Sequence, residues 1–532
     1  MATSPDLVRL LADGKITRRE FITRVTATGA AAAVPGLLAS AEAMAATPKK
    51  GGRLIAGLSG AASNDVLDPG TGCCATYMGA LQYQLRNTLT EVDSGFAPSP
   101  ALATEWEATN GPSEWTFRLR DDVEFHNGRP FTSEDVKVTM QYHQGEESTS
   151  PAKPIIGQVA NIRTPDPKTV VFELSGPNAD FAALLGDYHL QIMPADITYD
   201  EWDTSGEGTG PFKLVEFEPG VRSLVERNPN YWRESMPYFD EVEMLAITDV
   251  NARTNAVKTG EVHLIDQPDA KTVHLLKMQP GVKVLQTPTT RHYTIPMRTD
   301  HAPLDNNDVR LAFKYCIPRE DILKKVAGGL GTLGNDHPIS PLQRYFNKDL
   351  PQRQFDPDKA AFHIKKSGHA DYVYELHAAD TAFGGSVDAA LLIQHAAKQA
   401  NIQVNAIRAP NDGYWTDVWM NKDIGMCYWG GRPTEDWMFS TAYEADASWN
   451  DAFWKHERFN ELLYQARGEL NNDLRREMYY EMQQICSDEG GTVCMMFADA
   501  VAALSDKIKF NEPLRGNFEL DGLHFSEAWW FA

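Results

Sequence analysis

Strict alternation of apolar and polar positions predicts β-strands in the first half of the chain. In EWTFRL, the residues Trp115, Phe117 and Leu119 fall on one face of a period-two pattern, which is typical of a strand with one buried face. The same pattern predicts three further elements: a strand in 51–60, a strand in 168–175 and a hairpin that turns at Pro219-Gly220. A helix start with Thr132 and Asp135 in a capping box interrupts these strands, so this half has an α+β pattern.

Helical periodicity dominates the second half. From Val309 to Ile317 apolar residues recur at i, i+3, i+4, i+7 and i+8, and Asp305 or Asn306 can cap the helix. Pro318 ends this helix, and REDILKKVAGG begins another. Two more apolar stripes follow: Phe459, Leu462, Leu463 and Ala466, then Leu474, Met478, Met482 and Ile485. With a final strand-like MMFADAVAAL, the order indicates a mixed α/β protein whose lobes the chain enters more than once.

Length and charge narrow the function classes. A chain of 532 residues is too long for one ordinary core and predicts two or three domains. The formal charge of −23 disfavours binding to nucleic acid or to anionic membranes, because like charges repel. It does not decide the charge of a small ligand, since salt screens a distant surface field.

The first 45 residues predict an export signal. A basic region containing Arg18-Arg19 precedes a mildly apolar run and an A-x-A-like cleavage region. The apolar run is too short to span a membrane. The twin arginines resemble the twin-arginine export signal. We therefore expect residues 1–45 to be a signal peptide, with an amphipathic N-terminal helix as the alternative, and the mature protein to be periplasmic.

The six cysteines permit disulfides but do not establish them. Cys486 and Cys494 flank a turn-rich loop and form the best candidate pair, since an exported chain permits disulfides. Cys316 lies on the apolar face of a predicted helix and Cys427 in an apolar run, so both are expected to be buried small hydrophobes. No Cys or His spacing is typical of a zinc site, so we expect no metal.

Motifs of catalysis and of cofactor binding are largely missing from the sequence. It contains no G-x-S-x-G, H-E-x-x-H, calcium-loop or Walker A pattern. Gly329, Gly331 and Gly334 satisfy G-x-G-x-x-G, but they follow a predicted helix, whereas a dinucleotide site needs a preceding strand. We therefore expect no enzyme activity and no cofactor.

Aromatic residues cluster instead in turn-rich sequence. Nine of them lie within a short stretch: Tyr414, Trp415, Trp419, Tyr428, Trp429, Trp437, Tyr443, Trp449 and Trp454. Any single one can be a core residue, but the group favours a concave surface whose flat side chains enclose a ligand.

Several motifs together resemble one family. The segments RLRDDVEFHNGRPFTSEDV, GTGPFKLVEFEPG with NPNYW, and APLDNNDVRLAFKYCIPREDIL, together with the Trp429 segment, are similar to those of extracytoplasmic solute-binding proteins of the oligopeptide, dipeptide and nickel class (family 5), which serve ABC importers. The resemblance implies a two-lobed periplasmic-binding-protein fold with an extra subdomain inserted in the first lobe. It also implies a small-molecule or peptide ligand, and a permease with ATPase subunits in the inner membrane as partner.

The resemblance also implies domain limits. Lobe I would comprise residues 47–88, 209–297 and 498–532, the insert 89–208, and lobe II 298–497. Binding without turnover, by a monomer that closes around its ligand, is the implied mechanism.

The segment YWGGRPTEDW (428–437) carries the main departure from the family. Peptide binders that it resembles place an Asp three residues after the Trp, to pair with the ligand's ammonium. Here Trp429 is followed at that spacing by Arg432, with Glu435 and Asp436 beyond. An arginine suits a carboxylate, sulfonate or phosphate, so a ligand with an anionic group is one interpretation. The alternative is that Arg432 pairs internally with Glu435 or Asp436.

Further candidates for the ligand site follow from the resemblance. Cys73, Cys74 and Tyr77 correspond to a region near the cleft in relatives, and Tyr414 belongs to the aromatic group. Arg298, where relatives often carry asparagine, either adds charge to the cleft or faces solvent. An ordinary peptide binder, a metal-chelate or haem binder, and a secreted hydrolase remain as alternative functions.

Overall fold

The computed structural model describes residues 47–71 and 76–532. The predicted signal peptide, and Cys73 with Cys74, lie outside the described residues.

Strands and helices alternate along the described chain. The strands are β1 (Arg53–Leu58), β2 (Thr90–Val92), β3 (Pro98–Pro100), β4 (Ala103–Ala108), β5 (Glu114–Leu119), β6 (Val159–Asp166), β7 (Thr169–Leu174), β8 (Phe212–Glu218), β9 (Arg222–Arg227), β10 (Glu241–Ala246), β11 (Leu264–Asp266), β12 (Val282–Pro296), β13 (Gly331–Leu333), β14 (Val373–Ala378), β15 (Gln403–Arg408), β16 (Cys427–Trp429), β17 (Thr492–Ser505), β18 (Ile508–Lys509) and β19 (Trp530–Phe531).

The helices are α1 (Thr76–Leu85), α2 (Ser133–Gln144), α3 (Lys153–Ile156), α4 (Phe181–Leu184), α5 (Tyr199–Trp202), α6 (Val250–Thr259), α7 (Val273–Leu276), α8 (Asn307–Cys316), α9 (Arg319–Lys325), α10 (Pro357–Ser367), α11 (Ser386–Ala397), α12 (Tyr414–Asp417), α13 (Glu435–Ala442), α14 (Glu457–Gly468), α15 (Asn472–Glu489), α16 (Glu519–Gly522) and α17 (Phe525–Ala528), with one 3₁₀ turn (Lys398–Ala400).

A mixed sheet forms the centre of the first lobe and extends into the second through β12 and β17. Its order is β16-β12-β17-β11-β1-β10-β9-β8, with β13 also paired to β17. The predicted hairpin is confirmed as β8 and β9, with Gly220 at φ 72° in the turn. Leu54, Phe239 and Leu504 lie in the hydrophobic core beneath the sheet.

An antiparallel sheet in the order β4-β5-β7-β6 forms the inserted subdomain. As the alternation predicts, Trp115, Phe117 and Leu119 on β5 are all buried in its core. The capping box is confirmed too: Thr132 and Asp135 exchange hydrogen bonds at the start of α2. Local sequence therefore determines this unit well.

Helices surround a parallel strand pair, β14 with β15, in the second lobe. Asn306 is the cap of α8, where its side chain accepts from the Asp308 N–H group. The stripe predicted on α15 is partly wrong, because Leu474 is 46% exposed while its neighbour Arg475 is buried. The reason is an ion pair: Asp180 of the inserted subdomain accepts from both terminal nitrogens of Arg475, at 2.7 and 2.6 Å.

Two long strands connect the lobes. β12 and β17 pair antiparallel from Val282 opposite Ser505 to Pro296 opposite Thr492, and the register shifts between Pro288 and His292. One end of this ribbon lies in the first core and the other in the second, where Ile295 is buried.

The predicted disulfide is wrong. Cys486 and Cys494 are both buried free thiols, as are Cys316 and Cys427. Cys486 packs among the α14 and α15 side chains, whereas Cys494 belongs to β17 beside Gly334, so separate elements hold the two sulfurs. Within the described part of the chain, no helix has the length and apolar character to cross a membrane.

Candidate functional site

A cavity of about 990 Å³ lies where the first lobe, the inserted subdomain and the second lobe meet. Its volume is that of a site for a drug-sized or peptide-sized ligand. Each of the three units contributes wall residues, among them Thr289 from the first lobe, His189 from the insert and Trp449 from the second lobe.

Five rings from the second lobe form one side of the cavity, here called the aromatic wall: Trp415, Trp419, Tyr428, Trp429 and Trp449. Neighbouring rings in this group have centroids 5.7–6.3 Å apart, in edge-on or tilted arrangements. Such pairs are favourable beyond the area they bury. The rings therefore form one interlocked surface rather than separate side chains.

The strand β16 explains why YWGGRPTEDW reaches the cavity. Tyr428 and Trp429 pair with β12, opposite Tyr293 and His292. The chain then turns away at Gly430-Gly431, where a Cβ on Gly431 would lie 2.1 Å from Thr290 Oγ1. Only glycine allows the close approach to β12 without a shift of Thr290.

A buried carboxyl group holds two of the rings from behind. The indole N–H of Trp419 donates to Asp451 Oδ2 at 3.2 Å, and the indole of Trp429 also hydrogen-bonds to this carboxyl group. Burial raises the pKa of Asp451 to about 7. Burial thus disfavours the charged form of the side chain that orients the two indoles.

Arg432 lines the cavity and follows Trp429 by three residues. Its guanidinium lies 5.5 Å from the ring centre of Trp437, and Nη1 donates to the carbonyl oxygens of Gly430 and Gly431 at 3.4 and 3.3 Å. The turn that follows β16 therefore places a cation beside the aromatic wall.

The two carboxylates after Arg432 have partners elsewhere. Glu435 is buried and accepts from the Tyr345 N–H group at 2.7 Å, and burial raises its pKa to about 7. Asp436 pairs with Arg467 at 3.1 Å, and burial raises its pKa to about 6. Asp436 lines the cavity, whereas Glu435 lies behind the wall.

Charged side chains from the first lobe and the insert form a second side, here called the polar wall: Asp187, His189, Arg291, Asp499 and Glu519. Its members are paired with neighbours. His189 lies 2.7 Å from Asp187 and Arg291 lies 3.8 Å from Glu519, while Gln286 donates to Asp499 at 2.6 Å. Burial opposes ionisation of Asp187, but His189 and Arg432 hold the pKa of this carboxyl below its ordinary value.

The second lobe and the insert contact each other beside the cavity. The bidentate Asp180–Arg475 pair joins them, and the Ala179 N–H group donates to the Arg467 carbonyl at 2.8 Å. The arginine side chain is 4% exposed, so water does not screen this pair strongly.

Three predicted ligand residues lie away from the cavity wall. Tyr77 is fully buried in the first lobe, with its hydroxyl donating to Met244 O. Tyr414 is buried too and donates to Met426 O at 2.7 Å. Arg298 pairs with Asp300 and covers the Phe453 ring at 4.1 Å, so it neither enters the cavity nor projects freely into solvent.

The nine clustered aromatics divide into two sets. The five rings of the aromatic wall and Trp437 line the cavity, whereas Tyr414, Tyr443 and Trp454 are core residues. Sequence clustering predicts the concave aromatic surface but not which members point into it.

Sequence reasoning missed Asp451, Arg467 and the polar wall. Asp451 follows the exposed Trp449 by two residues, a signal too weak to find it, and the polar wall joins segments far apart in sequence. Among the described residues, no group of His, Cys, Asp and Glu side chains is arranged to hold a metal ion.

The chain is similar to one protein family over most of its length. Residues 97–451, more than half of the chain, match the family model described as bacterial extracellular solute-binding proteins, family 5 Middle. The heme-binding protein A of Haemophilus influenzae is 24% identical over 473 residues, covering 82% of this chain and 85% of the relative. The dipeptide-binding protein of Escherichia coli K12 is 22% identical over 468 residues, covering 80% and 86%.

A solved structure extends the likeness to the fold. The protein AgaA of A. tumefaciens R10, determined in complex with agropinic acid, superposes with a TM-score of 0.74 at 22% identity. The match covers 90% of this chain and 99% of that chain. Because the identity is low, it establishes a shared two-lobed architecture and not a shared ligand.

Proposed function

The chain belongs to family 5 of the bacterial extracellular solute-binding proteins, and we propose that its cavity captures an anionic solute of peptide-like or amino-acid-derived chemistry. As the solute-binding component of an ABC importer, it closes its lobes around the solute and delivers it to a membrane permease. We infer that the solute leaves chemically unchanged, which mass spectrometry of the ligand after incubation with the protein tests.

The observation that carries the anionic assignment is the position of Arg432. It lines the cavity three residues after Trp429, where its guanidinium lies 5.5 Å from the Trp437 ring centre and interacts electrostatically with Asp187 of the polar wall. A planar guanidinium at the ligand surface can form paired hydrogen bonds with a carboxylate, sulfonate or phosphate. A free ammonium group at the same place would meet a like charge, which is costly when buried.

The relatives' ligands do not narrow the choice alone. Their names include heme, dipeptides and agropinic acid, so membership of the family is compatible with several solutes. The position of Arg432 at the cavity wall is therefore the more specific guide.

The family and the sequence of residues 1–45 together support a setting for this function. We propose that residues 1–45 direct export by the twin-arginine route and that the mature chain works as a monomer in the periplasm. The separate hydrophobic cores support the predicted division into lobe I, insert and lobe II.

The test removes the arginine. Calorimetric titration would use N-acetylated amino acids and dipeptides with a free carboxylate, each compared with its uncharged carboxamide. We expect Arg432→Ala to weaken binding of the carboxylates by at least about thirtyfold, since breaking a buried charge contact costs about 2 kcal/mol or more. Binding of the carboxamides should change little.

A matched control is Arg408→Ala, which removes an arginine whose side chain is 75% exposed and far from the cavity. It should leave every affinity unchanged. Equal affinity of wild type and Arg432→Ala for the carboxylates would refute the proposal. So would preference of the wild-type protein for dipeptides with a free ammonium group over their N-acetylated forms.

A further inference from the structure

Three rings of the aromatic wall are exposed in the cavity. Trp415 is 38% exposed, Tyr428 is 41% exposed and Trp449 is 48% exposed. Isolated exposed apolar residues are ordinary, but a contiguous apolar patch in a concavity marks a binding surface. These three rings border one cavity and contact further rings of the same wall.

The exposed rings are also held in place. Trp449 rests on Trp419 and Trp429, whose indole N–H groups both hydrogen-bond to the buried Asp451. Trp415 contacts Trp419 at 5.9 Å and Tyr428 at 5.7 Å, nearly perpendicular to each. Ligand binding to this surface therefore loses little side-chain entropy, because the rings have few alternative positions.

The carboxylates that lie near the aromatic wall along the chain already have partners. Aromatic cages for cations rely on ring faces, often with carboxylates nearby. Here the nearby Glu444 accepts from the Tyr464 hydroxyl and lies 3.9 Å from Arg467, and Asp446 pairs with Lys455 at 3.3 Å. Arg432, in the same segment as Trp429, adds a positive charge that would repel a cation.

We propose that the aromatic wall is a subsite for an uncharged planar group of the ligand, an aromatic ring or a comparably flat conjugated system. This inference rests on the proposed function for its setting, since the same solute would present its anionic group to Arg432. Asp451 acts as a positioning residue, because it reaches the ligand only through the indoles it holds. The solute class is thereby narrowed to anionic compounds that carry an aromatic group.

The experiment tests the aromatic group and the anionic group of such a ligand separately. Ligand-observed NMR titrations would use indole as an uncharged aromatic probe, N-acetyltryptophan as an anionic aromatic probe, N-acetylleucine as an anionic aliphatic probe and tetramethylammonium as a cation. The variants are Trp449→Ala and Trp415→Ala, which remove exposed rings and so leave the cores intact. Phe362→Ala is the control, since this ring is 61% exposed on α10 and outside the cavity.

We expect indole to bind the wild-type protein and to bind each tryptophan variant about five- to tenfold more weakly, which is the usual size of a lost aromatic contact. Phe362→Ala should leave indole affinity within about twofold, since this ring lies outside the cavity. N-acetyltryptophan should bind about tenfold more tightly than N-acetylleucine, and Trp449→Ala should abolish that preference.

Other outcomes assign failure to one proposal or the other. If tryptophan variants bind indole and N-acetyltryptophan as the wild type does, or if tetramethylammonium binds better than indole, the aromatic subsite is refuted. If N-acetyltryptophan depends on Trp449 but not on Arg432, the subsite stands and the anionic assignment fails. If N-acetyltryptophan binding depends on Arg432 but not on Trp449, the anionic assignment stands and the aromatic subsite fails.

Discussion

The wall contributed by the second lobe carries five interlocked rings, whereas the other wall carries charged side chains paired with one another. The aromatic wall is fixed from behind by polar groups that are themselves buried, such as Asp451. The polar wall is instead held by pairs between its own members, such as Asp187 with His189. An apolar surface can be rigid while remaining open to a ligand, but paired charges must be separated or rearranged before they bind one.

This difference indicates how the two sides share recognition. The aromatic wall is already formed before the ligand binds, so contact with it contributes to affinity at a small entropic cost. The polar groups of the other wall already have hydrogen-bond partners. A ligand binds favourably there only if it replaces the hydrogen bonds that it breaks. Substitutions of the buried residues Arg475, Asp451 and Thr434 test how far the cavity depends on its supports.

The largest effect should come from Arg475→Met. This change leaves Asp180 without its buried cationic partner, and breaking such a pair costs about 3–5 kcal/mol of stability. We expect the free energy of unfolding measured in urea to fall by about 3 kcal/mol. The contact between insert and second lobe should weaken, so the two walls should separate more readily.

Arg476→Met is the matched control. Arg476 is the next residue of α15, and its partner Asp473 is 77% exposed, so the change should cost less than about 0.5 kcal/mol. If both variants lost equal stability, the Asp180–Arg475 pair would not be a support of the cavity.

A smaller effect, visible only as pH changes, should follow from Asp451→Asn. The pKa of Asp451 is raised to about 7 in the folded protein, so the folded state binds this proton more tightly than the unfolded state does. The resulting stabilisation is full below about pH 4 and is lost as the pH rises through 7. Between pH 5 and pH 8 the wild type should lose about 2 kcal/mol more than the variant.

Urea unfolding at both pH values measures this difference. Asp446→Asn, which changes a carboxylate with an 87% exposed side chain, should behave like the wild type at both. Parallel pH curves for wild type and Asp451→Asn would mean that the carboxyl group behind the indoles is ionised, and that the aromatic wall has a charged support.

The smallest effect should come from Thr434→Ala. Thr434 caps α13, where its hydroxyl oxygen accepts from the Trp437 N–H group at 3.3 Å, and losing such a cap costs about 1 kcal/mol. Thr434→Ser keeps the hydroxyl and should recover most of the loss. Thermal unfolding of the three proteins tests the difference, and equal melting temperatures would show that the cap does not stabilise this side of the cavity.

Patterns within single elements could be predicted from the sequence, and contacts between distant elements could not. The alternation in β5 and the caps of α2 and α8 depend on a few neighbouring residues, and the structure confirms them. The α15 stripe failed at Leu474 because the buried position beside it is occupied by Arg475, whose partner is 295 residues away. Burial of a charge depends on its partner, which periodicity does not show.

The same limit applies to the cavity. The clustering of aromatic residues predicts a ring-lined surface, and the structure brings six of the nine, the five rings of the aromatic wall and Trp437, to the cavity. Which rings face the cavity depends on hydrogen bonds such as that of Tyr414 to Met426 O, which holds this ring in the core. The polar wall could not be predicted because its residues come from several separate segments.

The ribbon of β12 and β17 has a mechanical consequence. A paired ladder resists stretching and sliding, but a register shift bends and twists a strand pair more easily. The shift between Pro288 and His292 lies partway along the only paired strands among the described residues that run from the first core into the second. Domain closure should therefore be a rotation about this point, with the cavity changing its angle of opening while each wall keeps its internal shape.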